Sequence, residues 1–355
     1  MKVILAILLG AYLYSEDIQL SNWECHSDNF NYINYNFDSC SRDINKAVVR
    51  AKIWKIHRDD GLFEMTQGSI EKGFGELIES FKKHGILVHL YEEEIIYSDS
   101  LYYFAYNNRP FELMQSHSID KYMNLYYLPN INYTAGSITG YGQAFNTPGN
   151  EMFVAGNECR YVGEELVCFD LADTFIPTHE LGHCFGLLHT HSTSGGDEHV
   201  IRDDSMEACE LNCDSSGDLL CDTEATESLK NDVSFDGEEC YYNASDTDPC
   251  GLEYQPQIDN FMSYTHLECG TAFTEQQVNL MYYNIKNNTV VSKTVVLEGD
   301  LNDDSQINVL DAIAIVNIIL SSDQISDFDF WMGDVNNDQV INVLDIVELI
   351  NLILS

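Results

Sequence analysis

The spacing of a few residues between positions 173 and 189 constrains this chain more than any other feature of its sequence. The segment Asp173–His189 reads DTFIPTHELGHCFGLLH, in which His179 and His183 are four residues apart. In a helix this spacing puts both imidazoles on one face, where their nitrogens can converge on one metal ion. Gly186 permits a turn with positive φ, which would bring His189 back as a third ligand. The segment therefore predicts a helix, a sharp turn and a three-histidine zinc site.

Glu180 directly follows the first of these histidines and can reach a water molecule at the open fourth position of the metal. There it would accept a proton as the water attacks a carbonyl, and later pass that proton to the leaving amine. The alternative to a zinc site is a helix that merely carries surface histidines. Such a helix would require neither a glutamate at position 180 nor a glycine at position 186. His191 is a rival third ligand outside this spacing. The other histidines are predicted to be ordinary surface or core residues: His26, His57, His84, His89, His117, His199 and His266.

Several segments together resemble the pappalysin/cytophagalysin branch of the metzincins. They are HELGHCFGLLHTH, GDLLCDT at Gly217–Thr223, NFMSYTHLECGTAFTEQQ at Asn260–Gln277, KIHRDDG at Lys55–Gly61 and INYTAGSITGY at Ile131–Tyr141. The resemblance implies a zinc-dependent endopeptidase that acts on proteins or peptides. It also implies that Met262 lies in a tight turn beneath the zinc, as a structural residue, and that Tyr264 stabilises the oxyanion.

The same resemblance bears on calcium and on latency. It implies structural calcium near the cysteine-rich region, for which Asp218 and Asp222 are candidates. The family often has a longer propeptide than this chain, and a bulky aromatic residue is common where Cys184 stands. Cys25 is a candidate latency ligand of the zinc, and a disulfide between Cys25 and Cys40 is the favoured alternative.

The N-terminus begins MKVILAILLGAYLYSED, with one lysine before an apolar run that ends near Tyr14. The run is shorter than the ~20 residues that span a bilayer, and its length is typical of a signal peptide. A buried N-terminal strand or helix is the alternative. Export makes disulfides the default for most of the 11 cysteines. Since the number is odd, at least one thiol is left over, and Cys184 is the best candidate because it would face the core.

The charge of the chain excludes two classes of partner. Asp and Glu number 58 against 17 Lys and Arg, which gives a formal net charge of −41. Such a surface repels nucleic acid and anionic membranes. Beyond the N-terminus no stretch is apolar enough to predict a membrane span.

Hydrophobic patterning predicts an α+β catalytic domain, with a mixed sheet under helices and an active-site helix. Strands are predicted at Ala47–His57, Ile86–Glu92, Asn124–Leu128 and Glu151–Ala155, helices at Ser69–His84 and from Thr274, and a hairpin between Cys159 and Cys168. The predicted organisation is a signal peptide (1–15), an N-terminal segment (16–45), the catalytic domain (46–290), a linker (291–298) and a repeat domain (299–355).

The repeat domain contains two related 12-residue loops. The segment that begins at Asp300 recurs 34 residues later, at Asp334. Oxygen side chains at loop positions 1, 3, 5, 9 and 12 are typical of Ca²⁺ binding, and each loop continues into an apolar helix. The predicted ligands are Asp300, Asn302, Asp304, Asn308 and Asp311 in the first loop, and Asp334, Asn336, Asp338, Asn342 and Asp345 in the second. Ser305 or Gln339 stands at position 6, where the EF-hand has glycine.

These loops resemble a type I dockerin over about residues 297–355, a small all-α module that folds around two calcium ions. The resemblance implies docking onto a cohesin domain, commonly through a Ser/Thr pair at loop positions 10 and 11. Here those positions hold Val309-Leu310 and Val343-Leu344. A cell-surface scaffold, or a stabilising cap without a partner, is the alternative.

The sequence therefore predicts a secreted or surface-attached endopeptidase with Zn²⁺ and Ca²⁺ and a protein or peptide substrate. An inactive zinc- and calcium-binding adhesion or scaffold module is the second hypothesis. Glu180 disfavours that hypothesis, because a chain that had lost catalysis need not retain this residue.

Overall fold

The computed structural model describes residues 46–62, 65–102, 111–128, 141–162, 165–193, 195–202, 209–321 and 324–354, with only the backbone of 141, 157–162 and 165–169. The predicted signal peptide and N-terminal segment, with Cys25 and Cys40, lie outside the described residues. Positions 131–140 of the metzincin-like segments lie outside them as well.

A five-stranded mixed sheet forms the centre of the fold, in the order β2-β1-β3-β5-β4. Its strands are β1 (Ala47–His57), β2 (Ile86–Tyr97), β3 (Met123–Leu128), β4 (Tyr141–Ala144) and β5 (Glu151–Ala155). The first four in this order are parallel, and β4 pairs with β5 in the antiparallel sense. The fold class is therefore α+β with a mixed sheet, as predicted.

The strand β2 is five residues longer than the predicted segment, which ended at Glu92. The acidic run Glu92–Glu94 is typical of a turn, but it continues the strand beside β1. Lys52 donates to Glu92 and Glu94 at 2.7 and 2.8 Å, and Lys55 donates to Glu93 at 2.5 Å. Neighbouring lysines therefore neutralise a stretch that is too acidic to be recognised as a strand from its own residues.

The helix α1 (Gln67–Lys82) packs against the sheet with Ile70, Phe74, Leu77 and Phe81. Its N-cap, Thr66, accepts a hydrogen bond from the Ser69 amide at 3.1 Å. Gly73 allows α1 to approach a 3-10 turn at Leu171–Asp173, since a Cβ there would lie 1.7 Å from the carbonyl oxygen of Ala172. Two short helices, α2 (Asp99–Tyr102) and α3 (Phe111–Gln115), connect β2 to β3.

The hairpin between Cys159 and Cys168 is present as β6 (Asn157–Val162) and β7 (Glu165–Asp170). After it come the 3-10 turn and α4 (Ile176–Cys184), which carries the histidine motif. The cysteine-rich region that follows is mostly irregular, apart from the small hairpin of β8 (Val233–Phe235) and β9 (Cys240–Tyr242). Disulfides join Cys209 to Cys250, Cys213 to Cys221 and Cys240 to Cys269. Cys184 is free and buried, as predicted.

The C-terminal part is helical. The helix α5 (Glu275–Asn287) begins with the predicted capping box of Thr274 and Gln277. A 3-10 helix at Val291–Thr294 leads to α6 (Val309–Leu320), α7 (Asp327–Gly333) and α8 (Val343–Leu354). None of the described helices is both long and apolar enough to cross a bilayer.

The segment 291–298, predicted as a linker, is ordered structure that contacts the sheet. Val295 forms an antiparallel bridge with Val49, and the Val296 amide donates to Val48 at 2.9 Å. Residues 42–355 accordingly form one compact unit. The predicted domain boundaries stay a prediction, but the two parts that they separate lie in contact.

Candidate active site

The helix α4 presents the first two histidines on one side. His179 and His183 have ring centroids 4.7 Å apart, one helical turn from each other. The helix ends immediately after Cys184, where Gly186 has φ +98°. The Leu187 amide donates to the Gly182 carbonyl at 3.0 Å, which closes the turn and sends the chain back towards the helix.

Gly186 is required for space as well as for its positive φ. A Cβ at this position would lie 2.2 Å from Nδ2 of Asn284 on α5. The same Nδ2 donates to the Phe185 carbonyl at 2.8 Å, so α5 holds the turn in place. The turn brings His189 against the two helical histidines, with its ring centroid 4.6 Å from that of His183.

Three imidazole nitrogens converge at the centre of the site. The Nε2 atoms of His179, His183 and His189 lie 3.0 to 3.2 Å from one another. Nitrogens about 2.0–2.1 Å from one tetrahedral zinc would be about 3.3 Å apart, so this separation fits a shared ion. Neutral nitrogens with lone pairs this close repel one another unless a cation lies between them, so the donor set fits a metal better than it fits a hydrogen-bonded cluster.

Backbone carbonyls set the tautomer of the two helical histidines. Nδ1 of His179 donates to the Phe261 carbonyl at 2.6 Å, and Nδ1 of His183 donates to the Leu187 carbonyl at 2.7 Å. This leaves Nε2 as the metal-facing lone pair on each ring. Burial lowers the pKa of His183 to about 4 and holds the pKa values of His179 and His189 well below their usual range. The rings are therefore neutral at physiological pH, as metal ligands must be.

His191, the rival third ligand, lies outside the converging group. Its ring stacks on His189 with centroids 5.0 Å apart and 9° between the planes. Its Nδ1 is buried without a hydrogen-bond partner. The three-histidine group that could hold an ion comprises His179, His183 and His189.

Glu180 is buried between α4 and the sheet edge, with only 5% of the residue exposed. Burial raises its pKa to about 8, and a hydrogen bond with the Ala144 backbone opposes this shift. A divalent cation nearby would favour the carboxylate and lower this pKa. The strand β4 approaches so closely that a Cβ at Gly142 would lie 2.6 Å from Cγ and Oε1 of Glu180.

The absence of a side chain at Gly142 therefore lets Glu180 occupy its position, which gives a testable prediction. Gly142→Ala should displace the Glu180 carboxylate and lower kcat about tenfold or more, with zinc content unchanged, because a misplaced base transfers protons poorly. Steady-state kinetics and metal analysis would measure both. Gly75→Ala is the matched control, since a Cβ there meets nothing within 4 Å. Parent kcat in Gly142→Ala would contradict this role for the strand.

Met262 lies beneath the histidines and is fully buried. A Cβ at Gly182 would come within 2.6 Å of its Sδ, so the methionine packs directly under α4. The turn that holds it is closed by Asn260, whose Oδ1 accepts from the Met262 amide at 2.8 Å. Gln277 of α5 accepts in turn from Nδ2 of Asn260 at 3.0 Å.

Tyr264 lies two residues further along, at the open side of the histidine group. Its ring centroid is 4.6 Å from that of His189 and 6.1 Å from that of His179. His191, which stacks on His189, packs against the same tyrosine ring, at 4.5 Å. The tyrosine is therefore held beside the proposed metal position by the third ligand and its neighbour.

The two calcium candidates of the cysteine-rich region differ in their surroundings. Asp222 accepts from the Thr274 hydroxyl and the Gln276 amide, both at 2.7 Å, and so is engaged at the start of α5. Asp218 is 2% exposed and keeps one carboxylate oxygen without a partner. Burial raises the pKa of Asp218 to about 7. The pKa of Glu198 is raised to about 8, mainly by burial and next by the negative charge of Asp218. The sequence alone did not indicate Glu198 as a neighbour of Asp218.

In both C-terminal loops the carboxylates of positions 1 and 12 are buried: Asp300, Asp311, Asp334 and Asp345. Backbone amides donate hydrogen bonds to these carboxylates. In the first loop, Asp300 accepts from the amides of Asp304 and Ser305 at 3.1 and 2.8 Å. In the second loop Asp334 accepts from Asp338 and Gln339, both at 3.0 Å.

The remaining predicted calcium ligands lie along the same two turns. Asn302 and Asn336, at position 3, accept from the amides of Asp304 and Asp338, which stand at position 5. Asn308 and Asn342 accept from the amides of Leu310 and Leu344 where α6 and α8 begin. Ser305 and Gln339 have φ +65° and +69°, so the loop adopts at position 6 the conformation for which glycine is favoured in the EF-hand.

The C-terminal part of the chain matches a known domain family. Residues 298–354 match the family model of the dockerin type I domain, which confirms the resemblance of the repeat. No curated protein matches the chain.

Among solved structures, the chain is similar to mature mirolysin of Tannerella forsythia in complex with a cleaved peptide. The identity is 15%, over 71% of this chain and 96% of that chain, with a TM-score of 0.42. Mirolysin in complex with compound 9 has 16% identity, the same coverage and a TM-score of 0.45. Metalloproteinase-II from Bacteroides fragilis has 14% identity, over 41% of this chain and 44% of that chain, with a TM-score of 0.26.

Proposed function

We propose that this chain is an exported zinc metalloendopeptidase of the metzincin kind, similar to pappalysins, with a C-terminal calcium-binding dockerin module. The observation that carries the proposal is the convergence of three Nε2 atoms to within 3.0–3.2 Å beside the buried Glu180. Met262 packed beneath them and Tyr264 beside them are the residues that a metzincin site requires.

Bound by His179, His183 and His189, a zinc ion would lower the pKa of a water molecule and polarise the scissile carbonyl. Glu180 would accept the proton of the attacking water as its oxygen adds to the carbonyl carbon, and would then donate the proton to the leaving amine as the C–N bond breaks. The Tyr264 hydroxyl donates a hydrogen bond to the oxyanion that forms. The Phe261 and Leu187 carbonyls keep the two helical imidazoles in the required orientation.

The strand β4 supports an extended peptide substrate. Among the described strands it forms the edge of the sheet next to Glu180 and pairs with β5 alone. A sheet edge offers backbone N–H and C=O groups with which an extended chain can pair. A cleavable bond presented in this way would lie near the base, and this favours proteins and peptides as the substrate class.

The C-terminal loops supply oxygen ligands for two calcium ions, with buried carboxylates at positions 1 and 12 of each. The helices α6 and α8, whose first two residues are also loop positions 10 and 11, expose many apolar side chains: Val309, Leu310, Ile313, Val316, Leu320, Val343, Leu344, Val347, Ile350 and Leu354. An apolar surface of this kind supports docking onto a cohesin or a cell-surface scaffold. Disulfides and a dockerin module both suit an extracellular protein.

One experiment tests the whole proposal. The purified chain should contain one zinc ion, and should cleave members of an unstructured peptide library in a manner abolished by a zinc chelator and restored by added zinc. Metal analysis and mass spectrometry of the digest measure both quantities. A zinc-loaded chain that left every peptide intact would favour the second hypothesis, an inactive zinc- and calcium-binding scaffold module.

A further inference from the structure

The amino-terminal half of β1 is completed by the segment that leads into the dockerin module. β1 pairs with β2 along its whole length, but with β3 only from Ala51 onward. The vacant edge beside Val48 and Val49 is occupied by Val295 and Val296, through one bridge and one 2.9 Å hydrogen bond. The connection to the module is therefore part of the central sheet.

The module and the sheet also share one hydrophobic cluster. It joins Val48 of β1 and Leu87 of β2 to residues of the module: Leu301, Ala312, Ile315, Met332, Val335 and Leu349. Ile315 and Leu349 have no exposed surface. A module on a flexible tether would bury its apolar residues within itself, whereas here part of its core is provided by the catalytic sheet.

An ion pair lies at the centre of this contact. Nε of Arg50 donates to both carboxylate oxygens of Asp303 at 2.8 and 3.0 Å, and Nη1 donates to the Val295 carbonyl at 2.7 Å. The side chains of Arg50 and Asp303 are only 5% and 12% exposed. A charge left alone in such a site loses its partner without regaining water, so removal of one member is costly.

The two loops of the repeat differ at the position that makes this pair. Asp303 stands at position 4 of the first loop, between the predicted ligands Asn302 and Asp304, and is not itself a predicted ligand. Its counterpart in the second loop is Asn337, which is exposed. Both residues have positive φ, +52° and +58°, a conformation that Asn and Asp can both adopt. The backbone therefore does not require a carboxylate at position 4, and Arg50 explains why the first loop has one.

The helix α7 adds a second set of contacts with the catalytic domain. Phe328 packs on His89 and Tyr91 of β2, with ring centroids 4.6 and 5.9 Å apart. Lys82, at the end of α1, forms an ion pair with Asp327 at 2.6 Å. The contact thus extends from the first calcium loop to α7, on a different part of the module from the exposed apolar residues of α6 and α8.

We propose that the dockerin module is docked onto the β1–β2 part of the catalytic sheet through the Arg50–Asp303 pair, and that the first calcium loop thereby stabilises the peptidase. Calcium held by the residues on either side of Asp303 fixes the loop that presents its carboxylate to Arg50. Loss of calcium frees the loop and leaves Arg50 buried without its partner. The docking goes beyond the proposed function, and only its calcium dependence rests on the proposed calcium sites.

The test compares Asp303→Asn with the reciprocal variant Asn337→Asp, both in the full chain loaded with zinc and calcium. Each exchanges the same two residues at the same loop position, and only the first removes a charge that faces Arg50. Asp303→Asn should lower the melting temperature by about 5 °C and increase hydrogen exchange in residues 46–51 and 86–91. Asn337→Asp should leave both quantities at the parent values.

The calcium arm uses buffer depleted of calcium and supplemented with zinc. In the parent, exchange in 46–51 should rise on calcium depletion, and Asp303→Asn should show a smaller rise because its pair is already broken. Parent-like exchange in Asp303→Asn with calcium present would overturn the docking proposal. If that variant does not fold, Arg50→Lys is the substitute, because it keeps the positive charge but loses the forked guanidinium group. It should lower the melting temperature and raise the exchange by smaller amounts. Metal analysis that finds no calcium in the chain would refute the calcium sites but not the docking.

Discussion

Replacement of Glu180 by Gln should lower kcat about a hundred- to ten-thousand-fold while zinc stays bound at the parent level. The amide keeps the size of the carboxylate but cannot accept the proton of the attacking water. Glu180 is not one of the three histidines whose nitrogens converge, so the substitution leaves the proposed ligand set unchanged. Peptide hydrolysis and zinc content of the same preparation measure the two halves of this prediction.

Two outcomes decide the role of Glu180. Parent-rate cleavage by Glu180→Gln would sink the proposed mechanism, because no other group has been assigned to take the proton. Glu180→Asp is the companion variant: it retains the carboxylate but shortens its reach, so we expect activity between those of the parent and the Gln variant. The side chain is buried, so thermal unfolding of all three proteins is needed to separate a chemical defect from loss of fold.

Replacement of Gly186 by Ala should displace His189, the proposed third metal ligand, and lower both zinc affinity and activity. The residue has φ +98°, where a Cβ is strained, and that Cβ would lie 2.2 Å from Nδ2 of Asn284. Either the turn must open or α5 must move away, and both displace His189 from the other two histidines. We expect zinc affinity to fall by about two orders of magnitude or more, in line with the cost of disturbing the groups that orient metal ligands.

Zinc titration of the metal-free variant, followed by competition with a chromophoric chelator, measures this loss. Gly68→Ala is the control, because a Cβ at that exposed glycine meets nothing within 4 Å. The double variant Gly186→Ala/Asn284→Ala removes the clash but not the strained φ, and should recover only part of the affinity. Parent affinity in Gly186→Ala alone would show that the turn does not position His189.

Much of the fold could be predicted because its signals are local. The β-branched run of β1, the helical spacing of Ile70, Phe74 and Leu77, and the capping box at Thr274 each lie within a single segment. The end of β2 was missed for the same reason, since the partners of its acidic run are lysines some 40 residues earlier in the chain. The contact of segment 291–298 with the sheet was not predicted for a similar reason, because Val295 pairs with a strand that begins far upstream.

In the candidate site, the sequence by itself determined the ligand types and their spacing. His179, His183, Gly186 and His189 lie within 11 residues, so local helix geometry and one glycine turn are sufficient to bring them together. Only the tertiary structure decided what orients and encloses them: the Phe261 carbonyl on His179, Asn284 against the turn and Gly142 against Glu180. Outside the site, only the tertiary structure placed Arg50 against Asp303. These contacts join residues that lie far apart in the chain. Several of them are made by backbone atoms or depend on the missing Cβ of a glycine, so no local sequence pattern predicts them.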